Sequence, residues 1–529
     1  MNILIAEPLA PAGIELFQSQ PGWKTIVSSP KEYAQHLAEA DALLVRSAVQ
    51  VNQSVLQRAP RLRVIGRAGV GVDNVDLDAA TAAGVLVMNT PGGNAISVAE
   101  HTLALMLAMA RHIPQANAST RAGKWEKKKF MGNELRGKTL GIVGLGSIGR
   151  EVVKRARAFE MRIVAHDPYV THKIAKDLGV ELVALAALYA AADYISLHVA
   201  ATPETQGMLS SEAFAQMKPG VRIVNCARGE LLDQDALRAA IESGKVADAA
   251  LDVFAAEPVP AGFPLFESTA VLATPHIGGS TEEAQEIVGV RIAEQVVEYL
   301  RSGVAINAVN MPPLTPEQYR TLGPYAALAE RLGIFASFIA TGNPQTVRLV
   351  YYGRIADSNT HLLRSAGLTG VLSRSSHKVN LVNAAQIAEQ RGWNIEEALE
   401  PRSLYTDSIR LELHTDKGVT AVEGAVLLDK PRLTRVDGIY CEAALSGFLI
   451  FMKNQDVPGV IGHVGTVLGR NGVNIANFSL GRRDAPAAAG EPLEAVAVVS
   501  TDELVPESVL AQLRDNPAVR FARSVEFKQ

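Results

Sequence analysis

Short apolar runs alternate with longer amphipathic stretches through the first 310 residues, and this alternation sets the architecture. The runs fall at 2–6, 43–45, 64–65, 85–87, 140–143, 162–165, 194–197, 222–224, 249–251 and 271–273, and each reads as a strand. Helical patterns lie between them, so the order predicts parallel sheets flanked by helices, a doubly wound α/β fold. A further apolar stretch, 103–110, follows Glu100 and His101 and stops at Arg111. It falls far short of the roughly 20 apolar residues that span a membrane, so it predicts a buried helix packed between domains or subunits. The pattern breaks at Asn310-Met311-Pro312-Pro313-Leu314-Thr315-Pro316, where closely spaced prolines suit a linker. Beyond it, 311–447 mixes helices (325–340, 382–391) with strands (346–352, 408–413) and offers no motif tied to chemistry. The last segment, 448–529, reads as β-α-β-β-α-β: strand 448–452, helix 460–468, a strand opened by Asn471-Gly472-Val473-Asn474-Ile475, strand 495–500 and helix 506–513, with 485–490 as a hairpin loop.

Glycine spacing locates one ligand. Gly144-Leu145-Gly146-Ser147-Ile148-Gly149 follows the run 140–143, precedes a helical segment at 150–159, and is followed by a second strand ending in His166-Asp167. In a dinucleotide site the glycines let the backbone turn and approach the pyrophosphate, the helix N-terminus faces that anion, and the carboxylate holds the adenosine ribose hydroxyls. The fingerprint begins at residue 144, so the nucleotide domain is inserted into another α/β domain. The expected division is a substrate-binding domain (1–95 and 285–310), a nucleotide-binding domain (96–284), an α+β intervening domain (311–447) and a ferredoxin-like C-terminal module (448–529).

Composition narrows the class. Acidic and basic residues are interspersed at a net charge of -4, without the dominant basic surface of many nucleic-acid binders. Two cysteines, Cys226 and Cys441, cannot build a disulfide framework and suit a reducing cytoplasm. The segment 1–7 lacks the basic flank and apolar length of a signal peptide and reads as the first strand. No His, Cys or Asp grouping has metal-ligand spacing, so no metal is expected.

Three strand-end motifs carry acid–base and anion-binding groups: Arg228 in Asn225-Cys226-Ala227-Arg228-Gly229-Glu230, Glu257 in Asp252-Val253-Phe254-Ala255-Ala256-Glu257-Pro258, and His276 in Thr274-Pro275-His276-Ile277-Gly278-Gly279. Each follows a strand, which places all three at the carboxyl edge of the sheet, where open α/β folds bind ligands. Oxidising a secondary alcohol needs a base for the hydroxyl proton and a cation for the substrate's carboxylate. Histidine beside a carboxylate meets the first need, and the planar fork of arginine meets the second. Singly, each is an ordinary surface or turn residue.

Together these motifs resemble the D-isomer-specific 2-hydroxyacid dehydrogenase family, whose catalytic Arg, Glu and His occupy them in this order. The resemblance implies NAD as cofactor and Arg228, Glu257 and His276 as the catalytic set. It also implies an NAD site lined by Gly144, Gly146, Ser147, Ile148, Gly149, Asp167, Cys226, Ala227, Arg228, Asp252, His276 and Gly279, with Asp252 near the nicotinamide amide. Val45-Arg46-Ser47-Ala48, the run from Gly66 and Arg67 to Asp76, Asn89-Thr90-Pro91-Gly92-Gly93-Asn94 and Gly123-Lys124-Trp125-Glu126-Lys127 look like members that oxidise 3-phosphoglycerate. That likeness implies Arg46, Ser47, Arg67, Asn94 and Lys127 as substrate contacts, Lys127 from a neighbouring subunit of a homo-oligomer, a dimer or tetramer. The final segment resembles an ACT domain, which makes L-serine the candidate effector, at Asn454, Asp456 and Asn474. Two alternatives stay open on the residues alone: a reductase of glyoxylate, hydroxypyruvate or another 2-oxo acid, and a dinucleotide-sensing binding protein. The amino-acid-binding tail speaks against both.

Overall fold

The computed structural model describes residues 1–374, 379–400, 407–484 and 492–527, so the hairpin loop expected at 485–490 lies outside the described residues. A five-stranded parallel sheet comes first, in the order Lys24–Val27, Asn2–Ile5, Ala42–Val45, Val64–Arg67, Leu86–Met88. A seven-stranded parallel sheet follows, with Thr139–Val143 beside both Arg162–His166 and Tyr194–Leu197. Strand order reverses at that point, so a crevice opens at the carboxyl end of Thr139–Val143.

The helix Glu282–Ser302 returns the chain to the first sheet. It crosses the helix Pro11–Gln18 at Gly13 and Gly289, where a Cβ on Gly13 would stand 2.6 Å from the Gly289 carbonyl oxygen. Ala308 then pairs with Met88, and the side-chain Oδ1 of Asn310 accepts from the Val87 amide at 2.9 Å. The apolar stretch expected at 103–110 is the second half of a longer helix, Ala95–Ala110, which takes in Glu100 and His101. Its Val98, Leu103 and Met106 pack on Leu140, Ile142 and Val224, covering the second sheet.

The proline linker ends sooner than its composition suggests. Pro316 opens the helix Pro316–Ile339, where Thr315 and Gln318 form a reciprocal capping box. Proline has no N–H to lose in a first turn, which is why it starts a helix that it could not continue. That helix packs against a six-stranded mixed sheet, Pro344–Tyr352 to Ile439–Ala444, most of whose strands have no clear signal in the sequence. The C-terminal sheet is antiparallel, in the order Ile475–Arg482, Glu494–Thr501, Gly447–Gln455, Val519–Phe527. One face carries the helices Val460–Arg470 and Glu507–Arg514, and the other buries Leu449, Phe451 and Val498 against Phe335. Arg523 Nη1 donates to the Phe338 carbonyl at 2.7 Å, fixing this module on the preceding helix. Among the described residues no helix is long and apolar enough to cross a membrane.

Candidate active site

The glycine loop is built for close approach. Gly144 stands at φ +96°, and a Cβ on Gly149 would collide with the Gly144 carbonyl oxygen. A Cβ on Gly146 would meet only open space, on the side where the helix Ser147–Ala158 presents its first amides. Asp167, at the end of the next strand, accepts from the Leu145 amide at 2.8 Å and from the Tyr169 amide at 2.8 Å. Its carboxylate therefore ties the loop to the neighbouring strand. A bare helix N-terminus as donor, a glycine cradle and this carboxylate as acceptor are the parts that a dinucleotide site requires, and they fit one. Ser147 Oγ lies close enough to the turn at Gly92 that a Cβ there would stand 3.4 Å away. Ile148 is half-buried against the core of the second sheet.

Across the same edge, His276 and Glu257 form a dyad. His276 Nδ1 lies 2.7 Å from Glu257 Oε2, while Glu257 Oε1 accepts from the Phe254 amide at 2.9 Å. An ionised carboxylate only accepts, so Nδ1 carries the hydrogen of this bond, and in the neutral ring Nε2 is left as the lone-pair nitrogen. The turn that holds His276 at φ 53° is pinned by Asp252. Asp252 Oδ1 accepts from Thr274 Oγ1 at 2.6 Å and the Ile277 amide at 2.9 Å; Oδ2 accepts from the Gly278 amide at 2.8 Å. Burial raises the proton affinity of this carboxyl, but hydrogen bonds from His101, Thr274, Ile277 and Gly278 outweigh it and hold the pKa below the ordinary carboxylate value. Expected beside the nicotinamide amide, Asp252 spends its carboxylate on the turn 274–278 of its own chain.

Folding also assembles a group whose members are far apart in the sequence. His101, Cys226 and Asp252 bring ligand-type atoms within 4.8 Å of one another. Their donors are consumed internally: His101 Nε2 stands 3.2 Å from both Thr274 Oγ1 and Asp252 Oδ1. Burial pushes the Cys226 thiol up to about 12, so it stays protonated and takes no part in thiolate chemistry. His101 and Asp252 form a hydrogen-bonded brace behind the His276 turn, with the Cys226 thiol packed beside it. Ala227 is buried next to it, its amide bonded to Asn225 Oδ1 at 3.0 Å.

Three arginines meet in the cleft. Arg228 Nη1 donates to the Ala227 carbonyl at 2.7 Å, and Nη2 stands 3.0 Å from Asp73 Oδ2. Arg67 is mostly buried, with its Nε unpaired among the described residues, and desolvation lowers its pKa; Asp73 and Glu7 oppose that shift, while Arg228 and Arg46 add to it. Arg46 lines a cavity of ≈ 220 Å³ with Pro8, Ala68 and Gln285. Its loop hangs on two groups that motif reading missed. Glu7, 5% exposed, accepts from the Arg46 and Val49 amides at 2.8 and 3.0 Å and from the Ala48 amide at 3.0 Å. Asn74 donates to the Arg46 and Val49 carbonyls at 2.9 and 2.7 Å. Glu7 is signalled only by its place just past the first parallel strand, on the ligand edge. Ser47 is exposed on this loop, and Asn94 abuts Gly279, its Oδ1 buried without a partner among the described residues.

Other expected residues stand apart. Lys127 is exposed on the short helix Lys127–Phe130, and among the described residues no hydrogen bond or ion pair joins it to the cleft. In the C-terminal module, Asn454 and Asp456 share a cavity of ≈ 370 Å³ with Met452, Phe478 and Leu480. Asn474 does not join them. Strand register puts Ile475 opposite Thr501 and Phe448, and Asn454 opposite Ala495, so the two asparagines lie roughly 20 Å apart along the sheet. Asn474 bonds instead to Asp502 Oδ2 at 2.8 Å.

Known proteins share this arrangement. The pattern of the D-isomer specific 2-hydroxyacid dehydrogenase NAD binding domain matches residues 103–278, that of the D-3-phosphoglycerate dehydrogenase intervening domain matches 321–437, and that of the ACT domain matches 448–518. A D-3-phosphoglycerate dehydrogenase of Methanocaldococcus jannaschii is 42% identical over 523 residues, 98% of either chain. One of Bacillus subtilis is 37% identical over 528 residues, 99% of either chain. Among solved structures, the TT0316 protein of Thermus thermophilus aligns at a TM-score of 0.54 and 35% identity, covering 58% of this chain and all (100%) of that one. A glyoxylate reductase from Paecilomyes thermophila aligns at 0.53 and 31% identity, covering 60% and 98%.

Proposed function

The chain belongs to the D-3-phosphoglycerate dehydrogenase family, and on that premise we propose that its cleft oxidises the C2 hydroxyl of 3-phosphoglycerate to 3-phosphohydroxypyruvate with NAD, the entry reaction of L-serine synthesis. The observation that carries this reading is the His276–Glu257 dyad at one edge of a cleft that also holds three arginines, a base together with cations for a substrate anionic at both ends. The division of labour follows the expected domains: 1–95 with 285–310 take the substrate, 96–284 the dinucleotide, and 311–447 with 448–529 regulate. NAD would rest on Gly144, Gly146, Ser147, Ile148 and Gly149, with Asp167 at its ribose and Ala227 and Gly279 along its length, while Asp252 and Cys226 support the His276 turn from behind; the dinucleotide supplies the hydride acceptor. Arg228 pairs with the substrate carboxylate. Arg46 and Arg67 take the phosphate, with Ser47 and Asn94 as hydrogen-bonding partners and Lys127 reaching in from a neighbouring subunit. His276 Nε2 removes the hydroxyl proton as C2 is oxidised, and Glu257, already on Nδ1–H, stabilises the imidazolium.

This reading makes the protein a cytoplasmic homo-oligomer, a dimer or tetramer, with L-serine binding at Asn454 and Asp456. Asn474 joins that site only from a second copy of the chain, because its own strand holds it at the far end of the sheet. Initial rates of NADH formation with 3-phosphoglycerate, D-glycerate and D-lactate, with and without L-serine, test the reading. Turnover confined to 3-phosphoglycerate is expected; equal or better turnover of an unphosphorylated acid would replace it with a general 2-hydroxyacid dehydrogenase.

A further inference from the structure

Arg228 follows the strand Val221–Asn225 of the second sheet and Arg67 ends the strand Val64–Arg67 of the first, yet both face one exposed carboxylate, that of Asp73. Asp73 Oδ2 stands 3.0 Å from Arg228 Nη2, and its side chain is 72% exposed. The intervening loop is shaped for this meeting. A Cβ on Gly71 would collide with Arg228 Nη2 and stand 2.7 Å from Asp73 Oδ2, so the missing side chain at Gly71 leaves the space in which these two tips meet. On the other side the Ala227 carbonyl takes Arg228 Nη1 at 2.7 Å. Two corners of the fork are therefore fixed, one by its own strand end and one from across the cleft.

We propose that Asp73 is a positioning residue for Arg228: it reaches across the cleft, fixes the plane of the guanidinium that receives the substrate carboxylate, and acts as counter-ion between Arg228 and Arg67 until the substrate arrives. The proposal rests on Arg228 as the carboxylate clamp. A guanidinium has five N–H donors in a rigid fork, so one bond to Ala227 and one to Asp73 leave an edge for a carboxylate. Without Asp73, the two like charges of Arg228 and Arg67 face each other with no counter-ion between them, and the long Arg228 side chain regains its rotamers. Because Asp73 and Arg228 come from opposite walls of the cleft, the pairing also makes the aim of Arg228 depend on the walls being close together.

A double-mutant cycle on the full-length enzyme tests this. Asp73→Ala is expected to lower kcat/KM for 3-phosphoglycerate by about 10-fold or more while NADH affinity, read by fluorescence titration, stays within about two-fold. In an Arg228→Lys background, the same change is expected to cost less than about two-fold, because the partner it positions is already gone. Asp73→Glu, which restores the charge on an exposed arm, is expected to recover most of the loss. Equal losses in both backgrounds, no recovery with glutamate, or a matching fall in NADH affinity would each overturn the proposal and leave Asp73 a loop-shaping residue. Should the wild type oxidise a different 2-hydroxy acid, the functional reading fails on its own, and the same cycle run on that acid still decides the role of Asp73.

Discussion

The cleft between the two parallel sheets and the cavity of the C-terminal module are built in opposite ways. In the cleft, the loops that carry Arg46 and His276 are each tied down by a buried carboxylate: Glu7 takes three amides beneath Arg46, and Asp252 takes two amides and a hydroxyl beneath His276. In the module, among the described residues, the side-chain Oδ1 of Asn454 is buried without a partner and the Asp456 carboxylate meets only the exposed Arg482, at 3.4 Å, while Asn474 sits at the other end of the sheet. Parallel strands gather their carboxyl ends at one edge, so short motifs far apart in sequence arrive together. An antiparallel sheet sends neighbouring strand ends in opposite directions, and groups that look adjacent by motif are separated by the length of a strand. The pinned loops of the first site come from one chain. The second presents a cavity lined by Asn454 and Asp456, with Asn474 at a distance along the sheet.

The contrast can be broken most sharply at the cleft. His276→Asn is expected to lose about 10²- to 10⁴-fold in kcat, the worth of a positioned base, with NADH binding retained in a fluorescence titration. Turnover within about three-fold of wild type, roughly the noise of comparing two enzyme preparations, would remove His276 from that role.

Asp252→Asn tests whether the buried carboxylate does the pinning. The variant is expected to lose about 1–3 kcal/mol of stability near neutral pH, because it leaves amide donors facing an amide nitrogen. The pH dependence has a definite sign. The folded-state pKa of Asp252 is depressed, so its contribution is present above the ordinary carboxylate value and is lost as pH falls through the lower folded value. Denaturation midpoints of wild type and variant should therefore converge toward acid pH; a constant gap from neutral to acid would show that the charge is not what holds the turn.

A smaller effect is expected at the module. Asp456→Ala should weaken L-serine binding to the full-length protein by about 10-fold or more in calorimetry, the loss of a charged hydrogen bond. Unchanged binding would place the amino acid elsewhere. The smallest effect concerns the cysteines: burial raises the Cys226 thiol to about 12 and the Cys441 thiol to about 11, so native protein at neutral pH should react with neither within the time that denatured protein reacts fully. Rapid labelling of either would contradict their packing.

Legibility in the sequence followed the same division. Most parallel strands, the glycine turn and the three strand-end motifs could be read because each is local: a run of apolar residues, then the chemistry at its end; the edge strands Lys24–Val27 and Glu181–Leu182, short and partly charged, could not. The cluster of His101, Cys226 and Asp252 was equally hidden, since its members are separated by 125 and 26 positions and meet only through packing of the helix Ala95–Ala110 on the second sheet. Glu7 and Asn74 were hidden for another reason: acidic and amide residues at strand ends look alike whether they face water or hold a loop. In the intervening region the long antiparallel strands 418–427, 430–436 and 439–444 mix charged and apolar residues, a weak signal beside the continuous apolar runs of the parallel sheets. Pro316 shows how one residue type carries two meanings, since a proline that ends a helix inside also starts one at its first turn.

The most direct measurement of the central claim is the ratio of kcat/KM for 3-phosphoglycerate to that for D-glycerate, taken side by side for wild type, Arg46→Ala and His276→Asn. If arginines read the phosphate while the dyad moves the proton, the wild-type ratio is expected to exceed about 100, to fall by about 10-fold or more in Arg46→Ala, and to keep its wild-type value in His276→Asn while both rates drop together. A ratio that survives Arg46→Ala intact, or one that collapses in His276→Asn, would contradict the division of the cleft into a phosphate-reading loop and a proton-transferring dyad.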